Sequence, residues 1–171
     1  RDAASADSST LTSRVVPVVV LHDATHAVPL AHALLEGGVD VMEITLRHAC
    51  ALAAIEAVAR AVPQMHVGAG TVTRPAEVPR VRDAGAAFAL SPGCTPALAD
   101  AAQAACLPFI PGVMTPGEVL ALRERGFSLM KLFPAAQAGG VAMLRALGAP
   151  IPDVQFCPTG GIDLQTMGEY L

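Results

Sequence analysis

SLMKLFPA, residues Ser128–Ala135, sets a lysine in the middle of an apolar run that reads as a buried strand. On a strand, successive side chains face opposite ways. Leu129, Lys131 and Phe133 therefore share one face, and Met130 and Leu132 share the other. Lysine is rarely buried whole, because removing its ammonium from water disfavours the charged form. A neutral amine in a dry pocket can attack a carbonyl and form a Schiff base. The competing reading is a strand-end lysine whose stem lies on apolar surface while its head reaches water.

Outward from this strand the same unit recurs: a short apolar run, a turn, then an Ala/Leu-rich helical stretch. The strand-like runs are Val15–Leu21, Val39–Arg47, His66–Val72, Ala87–Ser91, Phe109–Val113, Ser128–Phe133 and Val154–Pro158. They recur about every 20–27 residues, the size of a compact βαβ unit. Helices are expected over Thr25–Glu36, Cys50–Val62, Pro75–Ala84, Thr95–Cys106, Thr115–Arg125, Gly139–Leu147 and Asp163–Leu171. Thr95-Pro96 and Thr115-Pro116 read as N-cap plus first-turn pairs, and Gly37-Gly38 as a stop. Seven strand–helix units point to an α/β fold, a (β/α)8 TIM barrel that lacks the eighth strand and the C-terminal helix within these residues. An open doubly wound sheet is the other architecture with this pattern. A polar leader is expected over residues 1–14 and the barrel domain over 15–171, with the first and seventh strands left as edges.

Composition narrows the function classes. The chain has 171 residues, enough for one domain with a sizeable core, and is 53% hydrophobic with only 15% charged residues. A net charge of -4 and no basic cluster give no footing for nucleic acid or an acidic membrane surface. No apolar run is long enough to span a bilayer, and the opening has no apolar signal core. Cys50, Cys94, Cys106 and Cys157 form no CxxC pair, so structural zinc is not expected and reduced thiols in the cytoplasm are.

Barrel enzymes take their working groups from the C-terminal ends of the strands. On Val39–Arg47, VDVMEITLR, Met42, Ile44 and Leu46 suit packing on helices, while Val41, Glu43, Thr45 and Arg47 face inward. Polar groups on the inside require partners or a function, and an internal Glu–Arg pair is the structural alternative. The third run ends GAGTV with Thr71 at its mouth; the glycines admit a ligand or a neighbouring backbone, or simply form a tight corner. The fourth ends SPG, where Pro92 makes a rigid rim. The seventh ends CPTGGI, Cys157–Ile162, whose glycines either bind an anion ahead of a helix or serve the turn alone. His22, His26, His32, His48 and His66 have no metal-ligand spacing and read as surface or loop residues. No histidine is placed to activate Cys94 or Cys157.

Taken in order, PVVVL, EGGV, VMEITLR, GAGTV, SPG, FIPGV, MKLFPA and CPTGGI resemble the bacterial 2-keto-3-deoxy-6-phosphogluconate (KDPG/KHG) aldolases, from about Val15 onward. The resemblance implies a class I lyase on a (β/α)8 barrel. Such an enzyme is a homotrimer, needs neither metal nor other cofactor, and splits its phosphorylated keto acid into pyruvate and glyceraldehyde 3-phosphate. It implies Lys131 as the Schiff-base lysine and Glu43 as the proton carrier. It gives Arg47 and Thr71 to the pyruvate carboxylate, Pro92 and Phe133 to the pocket wall, and Thr159, Gly160 and Gly161 to the phosphate. Close variants act on 4-hydroxy-2-oxoglutarate or the galactonate-derived substrate. A phosphosugar-binding barrel, isomerising or without chemistry, is the reading from a different class.

Overall fold

The computed structural model describes Ala6, Thr10, Leu11 and residues 13–171; most of the expected polar leader lies outside the described residues. Among these residues eight short strands and six α-helices follow one another, a helix after each strand except the fifth and the eighth. The strands are β1 (Val18–Val19), β2 (Val41–Thr45), β3 (His66–Gly70), β4 (Phe88–Leu90), β5 (Phe109–Ile110), β6 (Gly112–Val113), β7 (Leu129–Leu132) and β8 (Gln155–Pro158). The helices are α1 (Ala27–Glu36), α2 (Ala51–Ala61), α3 (Glu77–Asp83), α4 (Pro96–Ala105), α5 (Pro116–Glu124) and α6 (Gly140–Gly148).

All pairings are parallel, and the strand order β1-β2-β3-β4-β5 and β6-β7-β8 follows the chain. A doubly wound sheet requires the order to reverse once. It never does here, so the sheet curls in one direction as a barrel wall. Two apolar clusters line its two sides. Val41, Phe88, Leu90, Ile110 and Leu129 pack inside with Ala6 and Leu11, while Met42, Ile44, Ile55, Val58 and Met130 pack between sheet and helices. The inward and outward faces expected for Val39–Arg47 and Ser128–Phe133 are thus found at every residue those clusters contain. Each Ile, Leu or Phe buried this way is worth about 1.5–3 kcal/mol.

Local sequence explains the helix ends. In α2, Ala51, Ala54, Ile55 and Val58 are buried at helical spacing. The Thr95 hydroxyl accepts the Leu98 N–H at 3.2 Å, and Thr115 with Glu118 forms a reciprocal capping box at the start of α5. Gly37 closes α1, its N–H bonded to the Ala33 carbonyl at 3.1 Å.

Three expectations need correction. Phe109–Val113 is not one strand. Pro111 has no N–H to give the ladder; Ile110 pairs back to Leu90 and Gly112 pairs forward to Lys131. Asp163–Leu171 is not an α-helix but a set of turns with a 3-10 turn at Met167–Glu169. The Asp163 carboxylate takes the N–H groups of Gln165 (2.9 Å) and Thr166 (3.0 Å). Gly168 is a poor helix former, and Leu164, 90% exposed, finds no apolar surface to anchor a helical face. His66 also differs from a surface or loop residue: it is half-buried in β3 with its ring stacked 5.3 Å from that of Phe88.

Candidate active site

Lys131 occupies the middle of β7, its own N–H bonded to the Pro111 carbonyl at 2.8 Å. Register places Gly112 on one side of it and Cys157 on the other. The side chain points inward and is 4% exposed. Its Nζ donates to Glu43 Oε1 at 3.2 Å. Glu43, 1% exposed, comes from β2 across the interior. A buried ion pair of this kind persists only when each charge has its partner. The Phe133 ring, two residues along the same face, has its centroid 5.6 Å from Nζ, which lies over the ring.

The interior face of β3 is bare, because Gly68 and Gly70 point there. A Cβ at Gly68 would overlap the Phe88 ring leaning in from β4, and one at Gly70 would overlap the Glu43 carboxylate leaning in from β2. The glycines of GAGTV therefore admit neighbouring side chains rather than a neighbouring backbone. Two further buried polar groups brace the wall. The Thr45 hydroxyl donates to the Val19 carbonyl at 3.2 Å, and Ser91 Oγ accepts the Gly112 N–H at 3.2 Å.

The loop after β8 folds back on the end of β7. Ala135 N–H donates to the Thr159 carbonyl at 2.8 Å and Ala136 N–H to the Gly160 carbonyl at 3.0 Å. Gly160 (φ +100°) lies under the Phe133 ring, and Gly161 (φ +71°) takes a conformation that side chains rarely adopt. Glu43, Cys157, Thr159 and Gly160 line a cleft of about 970 Å³ between β1 and β8; Lys131 is not part of its lining. Burial raises the Cys157 thiol pKa above its ordinary value, and the neighbouring Lys131 charge opposes that rise.

Of the residues picked from sequence, Lys131, Glu43, Phe133, Thr159 and Gly160 converge here. Pro92 sits at the rim, half-buried, its carbonyl turned towards Gly112. Thr71 is half-buried at the end of β3, and its φ of +59° is unusual for a β-branched residue. Gly161 is exposed. Arg47 is also exposed and lines a separate cleft of about 220 Å³ with His48, Glu77 and Arg80. Sequence reasoning passed over Cys157 for want of an activating histidine. The signal for its inward place was its alignment opposite Lys131, which becomes visible only with the register in hand. Among the described residues, no three His, Cys, Asp or Glu side chains stand close enough together to hold a metal ion.

A buried lysine with a carboxylate in hydrogen-bond reach, beside a glycine loop at the strand ends, can support Schiff-base chemistry. Comparison with known proteins shows the family. The KHG/KDPG aldolase of Escherichia coli K12 is 47% identical over 167 residues, spanning 98% of this chain and 78% of the relative. The 2-dehydro-3-deoxy-phosphogluconate aldolase of Dickeya dadantii is 46% identical over the same shares. The crystal structure of a KDPG aldolase from Legionella pneumophila, with pyruvate captured at low pH as a covalent carbinolamine intermediate, superposes with a TM-score of 0.91. Identity there is 44%, covering 95% of this chain and 79% of that one. Residues 6–171 match the family model described as KDPG and KHG aldolase, and by that match and these identities the chain belongs to the KDPG and KHG aldolase family.

Proposed function

We propose that this protein is a class I aldolase. It cleaves 2-keto-3-deoxy-6-phosphogluconate to pyruvate and glyceraldehyde 3-phosphate through a Schiff base on Lys131. The observation that carries this reading is the buried Lys131 Nζ, 3.2 Å from Glu43 Oε1 and over the Phe133 ring. An amine must shed its proton before it can attack, and the carboxylate beside it accepts that proton. Nζ then adds to the C2 ketone, water leaves, and the resulting iminium withdraws electrons from C3. A base takes the C4 hydroxyl proton, the C3–C4 bond breaks, and the aldehyde departs. The enamine takes a proton at C3, and water releases pyruvate from the lysine. Glu43 is placed to serve both proton steps, directly or through a water.

Arg47 is given the substrate carboxylate, which a guanidinium can grip with two parallel bonds, and Thr71 the neighbouring contact. Arg47 stands exposed on the loop after β2, so this role requires its side chain to turn inward over the strand ends. Pro92 and Phe133 shape the wall. Thr159, Gly160 and Gly161 bind the phosphate, supported by the positive φ angles that turn the loop at both glycines. No metal or organic cofactor takes part in this scheme. The working form is a homotrimer in the cytoplasm; no helix among the described residues is long and apolar enough to cross a membrane. The double name of the Escherichia coli relative favours 4-hydroxy-2-oxoglutarate as a second substrate.

Borohydride reduction in the presence of pyruvate tests the reading. The protein is expected to gain a stable adduct on Lys131, found by peptide mass spectrometry, and Lys131→Ala to gain none. An adduct of equal yield in Lys131→Ala overturns it.

A further inference from the structure

We infer that Gly70 is a positioning residue, the floor that sets the Glu43 carboxylate against Lys131; this rests on the aldolase reading above. Glu43 lies on β2 opposite Gly68, and its side chain leans one step towards the strand's C-terminal end. That lean brings the carboxylate over Gly70, so closely that a Cβ there would overlap Oε1, the atom bonded to Lys131 Nζ. Gly70 φ is not positive, so the glycine is required for space and not for backbone conformation.

The backbone cannot step aside to make room. The Gly70 carbonyl accepts the Leu46 N–H at 2.8 Å, tying β3 to β2. Two residues on, the Val72 N–H donates to the Leu90 carbonyl at 3.1 Å, tying β3 to β4. The Glu43 N–H is held in turn by the Pro17 carbonyl at 2.9 Å. With all three strands pinned, a methyl group at position 70 displaces the carboxylate and lengthens its contact to the amine. Gly68 is the internal contrast. A methyl group there runs first into the Phe88 ring, which supplies its three nearest atoms, whereas the three nearest at Gly70 all belong to Glu43.

The test separates positioning from general damage by measuring two steps in each variant. One is the yield of borohydride-trapped pyruvate adduct. The other is the rate at which the pyruvate methyl exchanges its protons with deuterated solvent. In Gly70→Ala the exchange rate per trapped adduct should fall about 100-fold, the scale of a misplacement near 1 Å. In Gly68→Ala that ratio should stay within two-fold of wild type, whatever the loss of stability. Glu43→Asp retracts the carboxylate by one methylene, so combined with Gly70→Ala its effect should be smaller than the product of the two single losses. A Gly70→Ala ratio like wild type, an equal fall in Gly68→Ala, or strictly multiplicative losses would each overturn the inference while leaving the aldolase reading standing. A wild-type protein that traps no pyruvate removes both.

Discussion

Ser91 Oγ accepts the backbone N–H of Gly112 at 3.2 Å, and both partners are buried. The bond links the end of β4 to β6 past Pro111, where the ladder between β5 and β6 is interrupted. A buried N–H left without an acceptor costs about 1–3 kcal/mol. Ser91→Ala should lower the unfolding free energy by about that much, read from urea denaturation with an unchanged slope. Because Gly112 is aligned with Lys131, the yield of pyruvate adduct should fall as well.

The Lys131–Glu43 pair makes a second prediction about stability. Removing one partner leaves a buried charge uncompensated, which costs about 3–5 kcal/mol. Lys131→Met and Glu43→Gln should each be destabilised on that scale. The double variant, with no charge left in the interior, should be more stable than either single one. Thermal melts of the four proteins check this, and strictly additive losses would contradict the coupling.

Thr71 holds φ +59° on a β-branched residue. Conformations of this kind cost about 1–3 kcal/mol, part of which a glycine gives back through its freer unfolded chain. Thr71→Gly should therefore raise stability by about 1 kcal/mol while weakening pyruvate binding through loss of the hydroxyl. Denaturation midpoints and the pyruvate concentration at half-maximal trapping measure the two effects separately.

Acid sensitivity should begin at the start of α5. The Met114 N–H, 2.8 Å from the Glu118 carboxylate, holds that group below its ordinary pKa of 4.5, helped by the Thr115 N–H and hydroxyl. A depressed carboxylate contributes stability that is complete above its unfolded pKa and disappears as pH falls through the folded one. Amide exchange at Met114, Thr115 and Glu118, relative to the intrinsic rate of an unprotected amide at the same pH, should quicken as pH drops below 4.5. In Glu118→Gln it should be faster at neutral pH and less dependent on acid.

Much of the site was legible because its residues break a local rule. Lysine inside SLMKLFPA and glutamate inside VMEITLR are polar groups where alternation demands apolar ones, so each declared itself from sequence. The recurrence of strand, turn and helix without a linker pointed to a parallel α/β fold that a barrel and a doubly wound sheet share, and the strand order separates the two. The relation of Gly70 to Glu43 was not legible. A glycine announces space but not the occupant, and the occupant depends on how far a side chain leans along a neighbouring strand. Pro111 did carry a readable warning that Phe109–Val113 could not form one continuous strand. The stretch from Asp163 has a helical apolar pattern, yet side-chain capping within the turn and an unpartnered Leu164 prevailed over it. Exposure of Arg47 could not have been read at all, because alternation ends where β2 ends, at Thr45.

The interruption at Pro111 gives the barrel wall a seam, and the two partners of the buried ion pair lie on opposite sides of it. Glu43 belongs to the five-strand panel and Lys131 to the three-strand panel. Their bond is thus a strut spanning the hollow between the panels, and any yaw of one against the other is transmitted straight to the Lys131 amine.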